Sequence, residues 1–261
     1  MLHFISNSSS YAVALGAFVF IFGGAILGFL IQQFIPAHHF STESKDAAKL
    51  GAGLVATLAA LILGLLISST KGTFDQVNSL INQVAANYIH LDRLLSDYGP
   101  VTAPIRTELK DGLALKIQQI WPEESLKTSS SMAFKETHSL LENITAEIAT
   151  LHPNTPLQSS LQSSSLDLAN QLLQERWMIE VVSEGGVPPL LLVIPVVWIG
   201  FLTFLYALFS PRNFTVITVL FFCSVSIAGA IFLINEMAGP MEGVIKVSSG
   251  PLRLALEQLG K

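Results

Sequence analysis

Charge is scarce in this chain and cysteine nearly absent. Of 261 residues only 13% are charged, where a soluble domain usually carries about a quarter, while 51% are hydrophobic and the mean hydropathy is +0.55. The single cysteine, Cys223, excludes an internal disulfide and a thiolate metal cage, and its place in an apolar run suits a small packed hydrophobe. Basic residues are not in surplus. Fourteen Lys and Arg against nineteen Asp and Glu leave a net charge of -5, which offers no field for a polyphosphate and argues against nucleic acid as a partner. No phosphate loop, dinucleotide glycine fingerprint, HExxH or metal-spaced cluster is present, so enzyme chemistry has no residue to rest on and no cofactor or metal is implied. His38 and His39, with Glu43 and Asp46 nearby, read as a solvated loop rather than a metal site.

What the chain does have is long apolar runs. Four stretches, 11–35, 50–70, 186–209 and 214–235, carry no Asp, Glu, Lys or Arg over a bilayer length and predict four transmembrane helices. The first lacks the basic flank, the short apolar core and the small-residue cleavage site of a secretory signal, and is expected to remain in the mature protein. Short gaps within each pair predict two hairpins, and both termini then share one side of the membrane with the long polar segment between the pairs. Lys71, Arg176, Lys246 and Arg253 flank the spans on that side, against Lys45, Lys49 and Arg212 on the other, and the whole excursion is richer still in Lys and Arg. This balance predicts a cytoplasmic excursion and cytoplasmic termini. The expected organisation is a first transmembrane hairpin over 1–70, a helical soluble domain over 71–185, a second hairpin over 186–236 and an amphipathic segment over 237–261.

The most informative pattern is a 3,4 spacing that begins in the second span and continues past its end: Gly53, Ala56, Ala60, Leu63, Ile67, Thr70, Phe74, Val77, Ile81, Val84, Tyr88, Leu91, Leu95. No proline interrupts 49–98, and Gly99-Pro100 stops the run. The spacing predicts one long helix with a seam facing other helices. Small residues at one end of the seam permit close backbone approach, as do Gly24 and Gly28 in the first span. Two readings of the seam stand side by side. It packs helices within one subunit, or several copies surround an axis with Leu63, Ile67, Thr70 and Phe74 lining a pore that gates by dewetting. Beyond the membrane the same helix carries Gln76, Asn78, Ser79, Asn82, Gln83, Asn87 and His90 without a formal charge between Asp75 and Asp92. Neutral amides suit a water-filled vestibule, with Asn78 and Asn82 as candidates, or a polar helix interface.

The rest of the excursion reads as three helical segments. The first opens at Pro104 and ends at Trp121-Pro122, the second carries Phe134, Leu141, Ile144, Ile148 and Leu151, and the third starts at Asn154-Thr155-Pro156 and runs toward Trp177. Residues 241–259 predict one or two amphipathic pieces interrupted at Gly250-Pro251, lying on the membrane or docked on the bundle. Pro195 is expected to disturb the third span, and Arg212 to anchor the second hairpin at the interface. Glu236, the one carboxylate near the hydrocarbon, reads as a helix-end group facing headgroups or an Arg, or as a gating or interface residue together with Lys71.

The run 61–71, then Phe74-Asp75, Asn87, Leu91-Asp92-Arg93 and Tyr98-Gly99-Pro100, resembles the bestrophin-like family of bacterial four-span membrane proteins. So do Pro211-Arg212-Asn213, the run 228–234, Glu236, Pro240, Gly243 and 248–253 in the second half. The resemblance implies an all-α homo-pentamer in a bacterial plasma membrane, with second spans around a central pore, a helical cytosolic domain extending it, and passive conduction of inorganic ions. The acidic calcium clasp of animal bestrophins has no match here, since no acidic run follows the fourth span, which Glu236 closes and Glu242 soon follows. The four-span layout with a large segment between spans two and three also suits a proton- or sodium-driven motor subunit, or a scaffold whose bundle recruits a cytosolic partner.

Overall fold

The computed structural model describes residues 10–34, 42–122, 140–241 and 243–261; His38, His39, Phe134 and Glu242 lie outside them. All regular structure among these residues is helical: α1 Ser10–Ile31, α2 Thr42–Tyr98, α3 Ala103–Ile120, α4 Leu140–Thr150, α5 Pro156–Glu184, α6 Pro189–Phe209, α7 Phe214–Ala238 and α8 Gly250–Gln258. Helices α1, α2, α6 and α7 are each long and apolar enough to cross a membrane, so the all-α, four-span class read from the sequence is the observed one. The second span does continue as one helix. At ~1.5 Å per residue its 57 residues measure roughly 86 Å. The described chain forms two compact units, Met1–Phe74 with Gly185–Lys246, and Asp75–Glu184 with Val247–Lys261.

In the first unit the widest contact of α1 is with α6, then with α7, while α6 and α7 meet over only a short stretch. Short loops predict two hairpins; small residues add a close contact between the first span and the third. A Cβ on Gly24 would lie 2.5 Å from the Gly200 carbonyl oxygen, and one on Gly28 would run into the Phe204 carbonyl and Ala207. Backbones this close leave room only for glycine. Thr203 Oγ1 adds a hydrogen bond to the Ile21 carbonyl at 2.8 Å. Helix α2 is seated by two small clusters, Ala59 with Ile21 and Ile199, and Leu66 with Leu192 and Ile234. Pro195 is accommodated inside α6 without ending it. Arg212 ties the α6–α7 connection back to α1: Nε donates to Gln32 Oε1 at 3.0 Å and Nη2 to the Phe29 carbonyl, while Gln32 Nε2 donates to the Ser210 carbonyl at 3.0 Å.

The second unit is a helical bundle of the outer part of α2 with α3, α4, α5 and α8. Its core joins Val77, Ile81, Leu91 and Leu95 of α2 to Leu109 and Leu113 of α3, Ile144 and Ile148 of α4, and Leu172 of α5. Thr155 caps α5 as expected: Gln158 N donates to Thr155 Oγ1 at 3.1 Å, and Gln158 Oε1 accepts from Asn154 N at 2.9 Å, a reciprocal capping pair. The carboxyl-terminal segment differs from the expectation of an interruption at Gly250-Pro251. Those residues open α8 instead, because a proline in the first turn forgoes only an N–H that has no helical partner. Helix α8 packs on α3, Lys110 Nζ donates to the Leu259 carbonyl at 2.9 Å, and Trp121 Nε1 donates to the Val247 carbonyl at 2.9 Å, so this segment docks on the bundle.

One ion pair holds the unit's interior. Asp92 is 1% exposed and accepts from Arg106 Nε at 2.7 Å and Nη2 at 2.9 Å, with Gly260 N adding a third donor at 3.2 Å. The carboxylate hydrogen bonds hold the Arg106 guanidinium above its ordinary pKa. Replacing Arg106 by Met strands a buried carboxylate and is expected to destabilise the bundle by about 3 kcal/mol. Thermal melting of the detergent-solubilised protein checks this; an unchanged melting temperature would contradict the assignment.

Candidate functional site

Within the membrane portion of α2 three faces can be told apart. The face carrying Ala52, Ala59, Leu66 and Thr70 is buried in its own unit. A second face, Leu54, Leu58, Leu61 and Leu65, is exposed and made of large aliphatics, the chemistry of a lipid-facing surface. The third, Thr57, Ala60, Gly64, Ser68 and Lys71, is also exposed but consists of small or polar residues. Uncovered small residues on a span suit either close approach of a neighbouring helix or the wall of an aqueous path.

The residues singled out by the seam fall on more than one of these faces. Leu63 is half-buried and packs against both clusters that seat α2. Ile67 is 37% exposed and borders the small-residue face. Thr70 is turned inward, 4% exposed, and its hydroxyl is spent on the Leu66 carbonyl at 2.9 Å, so within this subunit it offers no polar group to the open face. Phe74 is half-buried with Lys71 Nζ 5.8 Å from its ring centroid, a cation–π contact. Asn78 is half-buried and Asn82 exposed, and Asn82 Nδ2 donates to the Asn78 carbonyl at 2.8 Å. The seam therefore runs as a core in the bundle and drifts to the edge of the buried face in the membrane. A straight helix of 3.6 residues per turn rotates by about 20° per heptad against a 3.5 spacing, which produces this drift.

Not every amide in the charge-free stretch faces water. Asn87 Nδ2 reaches both carboxylate oxygens of Glu175, at 2.8 and 3.0 Å, and Gln171 Nε2 donates to Glu175 Oε1 at 3.0 Å. Sequence reasoning missed Glu175, which is 7% exposed. Its only trace in the sequence is a Gln–Glu pair at i,i+4 beside the buried Leu168 and Leu172 stripe.

Glu236 sits at the end of α7, 3% exposed, and its hydrogen-bond partners are two backbone amides and a hydroxyl. Its Oε2 accepts from Val244 N at 2.5 Å and Ile245 N at 3.1 Å, and the Ser10 hydroxyl also hydrogen-bonds it. Asn235 Nδ2 donates to the same Ser10 oxygen at 2.9 Å. The carboxylate thus staples the start of α1 and the turn after α7 to the end of α7. Gly243 makes the turn possible. Its φ is 81°, and a Cβ there would lie 2.5 Å from Glu236 Oε2.

The arrangement of four spans, with the second running on into a helical bundle, matches solved bestrophin structures in fold. Two crystal structures of single-substitution variants of a bacterial bestrophin homologue from Klebsiella pneumoniae are similar to this chain. One has a TM-score of 0.67 at 17% identity, covering 97% of both chains; another has 0.66 at 16% identity, covering 94% of this chain and 97% of that one. No curated protein sequence matches. The bestrophin-like domain matches residues 19–252, and the chain belongs to the bestrophin-like family.

The Glu236 staple makes a direct prediction. Gly243→Ala forces both a strained backbone and displacement of the carboxylate, with an expected loss of about 1–3 kcal/mol. Glu236→Gln, which keeps an acceptor oxygen, should cost less than Glu236→Ala. Melting temperatures of the three solubilised variants check the order, and a Gly243→Ala protein as stable as the parent would contradict it.

Proposed function

We propose that this protein is the subunit of an oligomeric, passive ion channel whose pore is lined by α2. The observation that carries the reading is the uncovered small-residue face of α2, bordered by Ile67 and distinct from the leucine face. Large aliphatics are what lipid accepts; Ala60, Gly64, Ser68 and Lys71 are not needed there and suit a surface shared with other copies around an axis. Ile67 forms the narrow hydrophobic neck, with Leu63 and Phe74 at its borders, and Asn78 and Asn82 continue the path as a neutral polar vestibule. Thr70, turned inward, contributes packing rather than a pore hydroxyl. Membership in the bestrophin-like family supports a homo-pentamer in a bacterial plasma membrane, with the termini and residues 71–185 in the cytoplasm. The domain limits read from the sequence, 1–70, 71–185, 186–236 and 237–261, describe this layout, with 247–261 of the last segment docked on the bundle.

A neck that gates by dewetting is sensitive to side-chain volume. In planar bilayers containing the purified protein, Ile67→Ala is expected to raise unitary conductance or open probability several-fold, and Leu63→Ala to do so less. Reversal potentials in asymmetric KCl give the sign of the permeant ion. Currents from both variants identical to the parent would remove the neck from α2.

A further inference from the structure

A second site lies elsewhere in the span-bearing unit. Between α1 and α7 a cleft of about 230 Å³ is walled by Phe22, Ile26, Phe29 and Leu30 of α1 and Ile217 of α7, and Arg212 stands at one end. We propose that this cleft binds one phospholipid with an anionic headgroup, its phosphate on Arg212 and an acyl chain along the apolar walls. The proposal rests on the membrane fold and is independent of the channel reading.

Three features of the cleft argue for this ligand. Its dimensions fit: from Phe22 to Leu30 the wall extends roughly 12 Å along α1 at ~1.5 Å per residue, most of the ~15 Å depth of one leaflet of hydrocarbon. Its polarity runs one way, with a cation on the short connection between two spans and hydrocarbon beyond it, as in headgroup pockets between transmembrane helices. The donors are also in place. Nε and Nη2 of Arg212 bond Gln32 and Phe29, which holds the guanidinium at the mouth, and a guanidinium carries five N–H groups, so donors remain for a phosphate. A second copy of the chain fits the charge poorly. Among the described side chains at this end of the unit, Asp46 already stands 3.5 Å from Lys49.

Native mass spectrometry of the full-length protein in detergent, with phosphatidylglycerol or phosphatidylcholine of the same acyl chains added, tests the site. The parent is expected to retain phosphatidylglycerol several-fold better than phosphatidylcholine. Arg212→Gln should remove that preference, and Arg212→Lys should keep it, which separates lost charge from lost fold. Ile26→Trp, which fills the cleft at an exposed position, should reduce retention of both lipids. Equal retention of the two lipids by the parent and all variants would overturn the proposal. So would an Ile26→Trp protein whose subunit number changes while its lipid retention does not, because the cleft would then be a contact between copies.

Discussion

Everything in this chain is arranged around one backbone constraint: α2 must keep its i→i−4 hydrogen bonds unbroken while its surroundings change from hydrocarbon to a packed polar bundle. In lipid a break is costly unless a neighbouring group satisfies the freed backbone, because an N–H or C=O there has no water to turn to. Outside it, the absence of proline and of a turn signal until Gly99-Pro100 lets the same helix continue. The same helix therefore contributes residues to both units. It is seated in the membrane by Ala59 and Leu66 and in the bundle by Val77, Ile81, Leu91 and Leu95.

Two kinds of contact hold the elements of each unit together. In the membrane unit they depend on size: Gly24, Gly28 and Gly200 allow α1 and α6 to approach until backbone meets side chain. In the bundle they depend on paired charge and capped ends. Asp92 is buried because Arg106 and the Gly260 amide satisfy it, and Glu175 because Asn87 and Gln171 do. The Glu236 staple belongs to the second kind but lies at a span end, where it closes the turn that Gly243 permits.

Elements were more legible in the sequence than faces. The four spans, the unbroken second helix, the cap at Thr155 and the stop at Gly99-Pro100 were readable because composition and helix-end chemistry are local. Partners were not. The hairpin lengths did not show that α1 also packs along α6, since loop length says nothing of which glycines meet across the membrane. The seam was readable as a period, but its 3.5 spacing concealed a rotation that buries Thr70 and leaves Ala60 open. The pairing of Asp92 with Arg106 and of Glu175 with Asn87 spans separate helices, and no spacing rule reaches across a bundle. Glu236 stood out in the sequence, yet two of its partners are backbone amides, which carry no sequence mark, and the third, Ser10, lies at the far end of the chain.

The central claim is that copies of α2 surround an axis with Ile67 facing it. A spin label on Ile67→Cys, in a Cys223→Ser background, tests this directly in the lipid-reconstituted protein. The account predicts strong short-distance dipolar coupling between labels at position 67 and weak coupling for a label at Leu58, on the leucine face. Coupling that is stronger at position 58 than at 67, or absent at both, would contradict it.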